Sequence, residues 1–336
     1  MHIIAVINIV NTIFRISGGP GHVWHSNRKF VQLHQAKLDH PQSTTILMFS
    51  LLVAGSLVLA RGLEHPPFDS LAASIITDYD LHAGASTGSN GLVLNHYEGN
   101  YVSTGRPYSA YAAVFNPDYF SFYPPTKSGC TARVKVSTSS VNFECAYATN
   151  GGFFNTSALA TPENLCEGNL ISDVYTQIAA DTSGTKRAEL GILSNNTIVI
   201  GFLDTSTIEN NQFRTLLTGW GWLVRNGVNN INSSQDFSSS SQSFIDEKAP
   251  RTTIGLFKNG TMILLQIDGE EDILAGPDLN EAAELLISLG VESAINIDGG
   301  GSSVSVSDGM VVDYPTCNDT SEKCERSVAS FACVKK

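Results

Sequence analysis

Thr252-Thr253-Ile254-Gly255-Leu256-Phe257, Lys258-Asn259-Gly260 and Met262-Ile263-Leu264-Leu265-Gln266-Ile267-Asp268-Gly269 read as two β-strands joined by a tight turn. Apolar and β-branched residues fill both flanks, and Asn-Gly tolerates the positive φ that a hairpin bend needs. The second strand hands Asp268 directly to a glycine. A helix signal follows, in which Asp278 and Glu281 have capping-box spacing. Leu279, Ala282, Ala283, Leu285, Leu286 and Leu289 recur at helical spacing, and Gly290 supplies the stop. The next apolar run, Ala294-Ile295-Asn296-Ile297, delivers Asp298 into Gly299-Gly300-Gly301-Ser302-Ser303. A second loop of similar character, Asn150-Gly151-Gly152-Phe153-Phe154-Asn155, lies upstream. Glycines directly after strands let other groups approach the backbone closely, at an entropic cost.

Working outward, further strands are predicted at 92–94, 108–115 and 132–136. Residues 190–193 and 197–202 read as a hairpin, 222–224 turns through Arg225-Asn226-Gly227-Val228, and 304–306 pairs with 310–312. The serine-rich stretch 234–243 is predicted to be a mobile loop. No repeat and no domain boundary is evident after residue 91. The expected class is α+β, with mostly antiparallel strands and few helices in one disulfide-bonded domain spanning 91–336. Residues 61–90, with Pro66-Pro67 and a Gly/Ser-rich stretch, read as an exposed lead-in.

The chain has 336 residues, of which only 15% are charged, and a net charge of −12. That charge disfavours nucleic acid and anionic membranes as partners, and an anionic substrate would need a local cationic clamp. All eight histidines lie at or before position 96. The region with both glycine loops therefore has no histidine of its own, which argues against Ser-His-Asp and His-zinc chemistry. Six cysteines, Cys130, Cys145, Cys166, Cys317, Cys324 and Cys333, share that region with sequons at Asn155, Asn195, Asn232, Asn259 and Asn318. Paired cysteines with sequons point to disulfides and glycans acquired in the secretory pathway. Cys317 and Cys324 are expected to pair locally.

Residues 48–60 resemble a signal-peptide apolar segment ending in small residues. The segment 1–47 is read as an upstream gene-model extension. No later run is apolar enough to suggest a membrane span in the mature chain. The protein is expected to be secreted or to reside in the secretory-pathway lumen, the Golgi included.

Five motifs occur in a telling order: Asn150-Gly151-Gly152-Phe153-Phe154, Cys166-Glu167-Gly168-Asn169-Leu170-Ile171-Ser172-Asp173, Trp222-Leu223-Val224-Arg225-Asn226-Gly227, Arg251-Thr252-Thr253-Ile254-Gly255 and Ile295-Asn296-Ile297-Asp298-Gly299-Gly300-Gly301-Ser302. Over roughly residues 91–334 the chain resembles the phosphodiester glycosidases. The resemblance implies hydrolysis of the sugar C–O bond of a sugar-1-phosphodiester, with α-N-acetylglucosamine on glycans as the implied substrate. It also implies the pairings Cys130–Cys166 and Cys145–Cys333. The family pattern places a glutamate before the motif cysteine. Here Leu165 precedes Cys166 and Glu167 follows it.

Such a reaction releases a phosphate monoester, a weak base, so strong acid assistance is less necessary than for an ordinary glycoside. It needs positive charge or N–H donors at the phosphate and a carboxylate for water or the oxocarbenium-like transition state. Asp298 and Asp268, each at a strand end before glycine, are the candidate catalytic carboxylates, with turn-forming roles as the plain alternative. Arg251 is the candidate phosphate clamp. Asn150 is a candidate for orienting a sugar hydroxyl or phosphate oxygen. Gly151, Gly152, Gly299, Gly300, Gly301 and Ser302 are candidate substrate-binding positions through their backbone N–H groups. Glu167 and Asp173 are second-line acids, and Glu270, Glu271 and Asp272 read as a solvated loop. Phe153, Phe154, Trp220 and Trp222 suit a core better than a sugar platform. No metal site or cofactor is expected, and the expected partner is a glycan or sugar-phosphodiester substrate. Two alternatives stay open: a secreted carbohydrate- or phosphate-binding module without catalysis, and a phosphodiesterase with oxygen-ligated metal that cuts P–O.

Overall fold

Thr253 pairs with Leu265 in the hairpin Arg251–Phe257/Met262–Ile267, and around it a seven-stranded sheet is built. In the computed structural model, residues 78–157, 160–161, 165–179, 186–238, 241–270, 273–316 and 324–336 are described. The segments 1–47 and 48–60, most of the 61–90 lead-in, Glu271, Asp272, Cys317 and the Asn318 sequon lie outside them. From edge to edge the seven strands are Val228–Asn229, Trp222–Arg225, Val291–Asn296, Arg251–Phe257, Met262–Ile267, Pro107–Phe115 and Val93–Asn100. A six-stranded sheet runs Tyr79–Ala83, Thr197–Gly201, Glu189–Leu193, Phe213–Thr218, Leu170–Ile171 and Thr176–Gln177. A five-stranded sheet comprises Met310–Val311, Ser305–Ser307, Cys145–Asn150, Phe331–Lys335 and Phe120–Tyr123. Every strand pair in these sheets is antiparallel.

Strand alternation sorts the central hairpin onto two cores. Ile254, Leu256 and Leu264 join a cluster shared with Leu190, Ala148 and Phe331 of the other two sheets. Ile263, Leu265 and Ile267 face the opposite way, with Leu279, Ala282 and Leu286 of the helix Leu279–Ser288. That helix begins with the expected capping box, in which Asp278 and Glu281 satisfy each other's backbone N–H. The turn signals also hold, with φ of 54° and 71° at Asn226-Gly227 and 81° at Gly260. Cys130–Cys166 and Cys145–Cys333 are both bonded, as the resemblance implies.

Three expectations need correction. Of the predicted strand 132–136, only Val134–Lys135 is extended, and Val136–Asn142 is a helix. Its free N-terminal donors are met by a distant residue, since the Ser137 backbone N–H and Oγ both donate to Glu325 at 2.7 and 2.6 Å. The lead-in holds a strand, Tyr79–Ala83, which gains its hydrogen bonds as an edge partner of Thr197–Gly201. Arg225 fixes it further through two bonds to the Asp80 carboxylate, at 2.8 and 2.6 Å. The serine-rich stretch is anchored where it is described: Ser234 and Asp236 are buried, and Gln242–Asp246 is helical. Asp236 Oδ2 accepts from the N–H groups of Ala188 and Gly221, and Ser234 Oγ donates to Oδ1.

Candidate active site

Both candidate carboxylates leave the same end of the seven-stranded sheet. Asp268 follows Met262–Ile267 and Asp298 follows Val291–Asn296, one on each side of the strand that starts at Arg251. Two strand spacings separate their backbones, about 10 Å.

Asp298 is half-buried and its main chain is clipped on both sides. Its N–H donates to Gly151 O at 3.1 Å, and its carbonyl accepts from Asn150 Nδ2 at 2.7 Å. The Asn150 Oδ1 accepts from Thr252 Oγ1 at 2.8 Å and from the Val304 N–H at 3.3 Å. Asn150 is fully buried with these atoms engaged, so it holds the Asp298 backbone instead of orienting a ligand. The two glycine loops thus meet, as two motifs almost 150 positions apart are knotted through one amide.

The N–H groups of Gly151, Gly152, Gly299, Gly300 and Ser302 are also engaged within the protein. Gly151 N–H donates to Ser330 O, Gly152 N–H to Ser330 Oγ, and Gly300 N–H to Pro250 O. Gly299 N–H donates to the Asp298 carboxylate itself at 2.9 Å, and Ser302, buried, donates its N–H to Gly299 O. The glycines are there for close packing. A Cβ on Gly299 would lie 2.9 Å from Pro250 O, and one on Gly269 would lie 2.7 Å from Pro250 N. Gly300 adopts φ 57°, a left-handed conformation that favours glycine. Gly301 is buried in the same turn.

Arg251 does not lie open as a clamp. It is only 2% exposed, and its Nη2 donates to the carbonyls of Glu247 at 2.7 Å and Phe244 at 3.3 Å. The segment carrying Gln242–Asp246 covers the first residue of this central strand, which buries the guanidinium against the Phe244 ring. Asp268 is held by Ser109 Oγ at 3.0 Å and Gln266 Nε2 at 3.2 Å, and burial pushes its carboxyl above the usual range. Tertiary pairing also brings in a histidine, since His96 Nε2 lies 3.1 Å from Ser109 Oγ. Glu167 is exposed and pairs with Arg187, and Asp173 is exposed as well.

The aromatics divide as strand geometry dictates. Trp222 and Phe154 are buried, and Trp222 Nε1 donates to Ser293 Oγ at 2.8 Å. Phe153 and Trp220 are half-buried, with ring centroids 5.9 Å apart, and Trp220 stacks on Phe244 at 4.4 Å. Trp220 is tied to the Asp298 strand, because its N–H donates to Asn296 O and its carbonyl accepts from Asn296 Nδ2. Trp220 is therefore bonded two residues before Asp298, and Phe153 lies two residues after Gly151.

Sequence reasoning missed Glu189 and Arg187. Glu189 is 2% exposed, and burial pushes its carboxyl up to about 7. Its Oε1 accepts from Thr218 Oγ1 and Asn169 Nδ2, each at 2.5 Å, while Oε2 has no hydrogen-bond partner among the described residues. A lone carboxylate opening the apolar run Glu189-Leu190-Gly191-Ile192-Leu193 was the available signal. For Arg187, nothing local marks a cation that only folding places over Trp220.

Comparison with known proteins agrees with this architecture. Residues 143–335 match the family model described as phosphodiester glycosidase. The N-acetylglucosamine-1-phosphodiester alpha-N-acetylglucosaminidase of Mus musculus is 34% identical over 256 residues, 72% of this chain and 47% of the relative. The Homo sapiens protein of that name is 32% identical over 264 residues, 74% of this chain and 50% of the relative. The chain thus spans about half the length of the curated relatives it matches. The zebrafish catalytic domain of that name, auto-inhibited by its pro-peptide, superposes with a TM-score of 0.69 at 30% identity. That match covers 77% of this chain and 88% of the zebrafish one. A hypothetical protein from Synechocystis shares the fold, with a TM-score of 0.51 at 16% identity over 72% of this chain and 62% of its own. Ordered motifs, sheet arrangement and relatives converge, and the chain belongs to the phosphodiester glycosidase family.

Proposed function

We propose that the protein is a hydrolase that cleaves the sugar C–O bond of a sugar-1-phosphodiester, with α-linked N-acetylglucosamine-1-phosphodiester on glycans as its substrate. The observation that carries the proposal is the placement of Asp298. Its main chain is clipped by Asn150 and Gly151, and its strand continues from Asn296, which holds Trp220. A half-buried carboxylate on a rigid strand end, reached from the segment that holds Trp220, suits a pyranose ring packed against the exposed edges of Phe153 and Trp220, with its anomeric carbon facing the acid. Asp298 would then orient the attacking water or stabilise the oxocarbenium-like transition state. The departing phosphate monoester leaves without strong protonation. Asp268, with its raised carboxyl, is the second carboxylate at this sheet end and is suited to hold a proton.

The names of the relatives support the substrate, and paired cysteines with exposed sequons at Asn195, Asn232 and Asn259 support a secreted or lumenal glycoprotein. Incubating purified protein with uridine diphosphate N-acetylglucosamine in ¹⁸O-water tests the reading. Release of N-acetylglucosamine carrying the label is expected. Label in the phosphate would mean P–O cleavage, and absence of turnover on this and on glycan phosphodiesters would leave a binding module.

A further inference from the structure

Four side chains form one continuous stack, tied through Trp220 to Asn296, two residues before Asp298. The Arg187 guanidinium lies 4.8 Å over the Trp220 ring, Trp220 lies 4.4 Å from Phe244 with the two planes 13° apart, and the Arg251 guanidinium lies 5.1 Å over Phe244. The Arg251 end is sealed inside the protein. At the other end, the Arg187 side chain keeps 32% exposure and also lies 5.8 Å over Phe153. Among the described residues, the carboxylate it pairs with is Glu167, at 3.3 Å, itself 44% exposed.

We propose that Arg187 grips the phosphate of the substrate, and that Glu167 is an internal carboxylate which Arg187 exchanges for that phosphate. The proposal rests on the sugar-1-phosphodiester reading above. Guanidinium stacked on indole has its plane fixed, so its N–H fork is oriented before an anion arrives. That fork matches phosphate oxygens as well as it matches a carboxylate. The Glu167 pair, open to solvent on the Glu167 side and partly so on the Arg187 side, is worth little and is surrendered at low cost. The stack also places the cation where the reaction needs it. Trp220 is bonded to Asn296, two residues before Asp298, so the Arg187 carried on its outer face is tied to the segment that leads to Asp298, and a sugar held at Asp298 would present its anomeric phosphate to the exposed side of that guanidinium. In a chain of net charge −12, such a local cation offsets the unfavourable field that an anionic substrate meets.

The test compares binding of N-acetylglucosamine 1-phosphate and of neutral N-acetylglucosamine by titration calorimetry, with turnover of uridine diphosphate N-acetylglucosamine measured alongside. Arg187→Ala should weaken the phosphate ligand by about 30-fold or more and the neutral sugar by less than about threefold. Arg187→Lys should fall between, because charge survives but the fork and the stack do not. Glu167→Gln should tighten the phosphate ligand by about two- to fivefold by removing the competitor. Equal losses for both ligands in Arg187→Ala, or none, would overturn the clamp, as would unchanged or weaker phosphate binding in Glu167→Gln for the exchange. Turnover by the wild type together with unchanged phosphate binding in Arg187→Ala sinks the clamp alone. No turnover and no binding of either ligand sinks the clamp and the functional reading together.

Discussion

The Asn150 side-chain amide donates to the main-chain oxygen of Asp298 at 2.7 Å, and this bond joins the two glycine loops of the protein. Asn150→Ala would leave that oxygen, the Thr252 hydroxyl and the Val304 N–H without their buried partner. Each such loss costs about 1–3 kcal/mol, so unfolding free energy should fall by at least about 2 kcal/mol. Turnover of the protein that remains folded should fall too, because Asp298 loses its position. Denaturant melts and turnover on one preparation check this, and a variant with wild-type stability would refute the clip.

Glu189 should make stability pH-dependent in a predictable direction. Its folded carboxyl, pushed up to about 7 by burial, lies above the ordinary value of 4.5. The contribution is fully present below about pH 4.5, falls as the unfolded chain alone ionises, and is lost once pH passes about 7. The amplitude is on the order of 3 kcal/mol. Glu189→Gln, which mimics the protonated acid, should flatten this part of the curve and be more stable than the wild type at pH 8. Parallel wild-type and variant curves of melting temperature against pH would refute the raised carboxyl.

The Cys145–Cys333 bridge closes a loop of 188 residues. Restriction of the unfolded chain by a loop of that size is worth about 5 kcal/mol in the chain-entropy account. The double variant Cys145→Ser/Cys333→Ser should lose most of that, read as a lower denaturation midpoint. An unchanged midpoint would contradict it.

Trp220→Ala should remove the support on which Arg187 lies, and an edge the sugar packs against, without touching the carboxylates. An increase of about tenfold in KM with a smaller change in kcat is expected. A change confined to kcat would place Trp220 elsewhere in the reaction.

Where one segment carries its own instructions, the sequence could be read. The hairpin around Lys258-Asn259-Gly260, the capped helix Leu279–Ser288 and the strand before Asp298 are specified by residues within a few positions of one another. Long-range satisfaction was not readable. The first turn of Val136–Asn142 is held by Glu325, which accepts from the Ser137 N–H and hydroxyl, and the 234–243 stretch is anchored because Asp236 binds backbone N–H groups of two other segments. At the site, sequence singled out the glycines, Asn150 and Arg251 for ligand contact by residue type. Packing gives them other work: Asn150 clips, Arg251 is buried under Gln242–Asp246, and the glycines admit Pro250 and Ser330. The absence of histidines after position 96 also excluded less than it promised, because antiparallel pairing sets His96 beside Ser109 and hence beside Asp268.

Asp298→Asn tests the central claim most directly. Asn preserves size and the bond from Gly299 N–H but removes the negative charge. Turnover of uridine diphosphate N-acetylglucosamine and melting temperature should be measured on the same preparation. A catalytic Asp298 predicts a loss of at least about 100-fold in kcat with an unchanged melting temperature. Near-wild-type turnover in folded Asp298→Asn protein would contradict the account and shift the carboxylate role to Asp268.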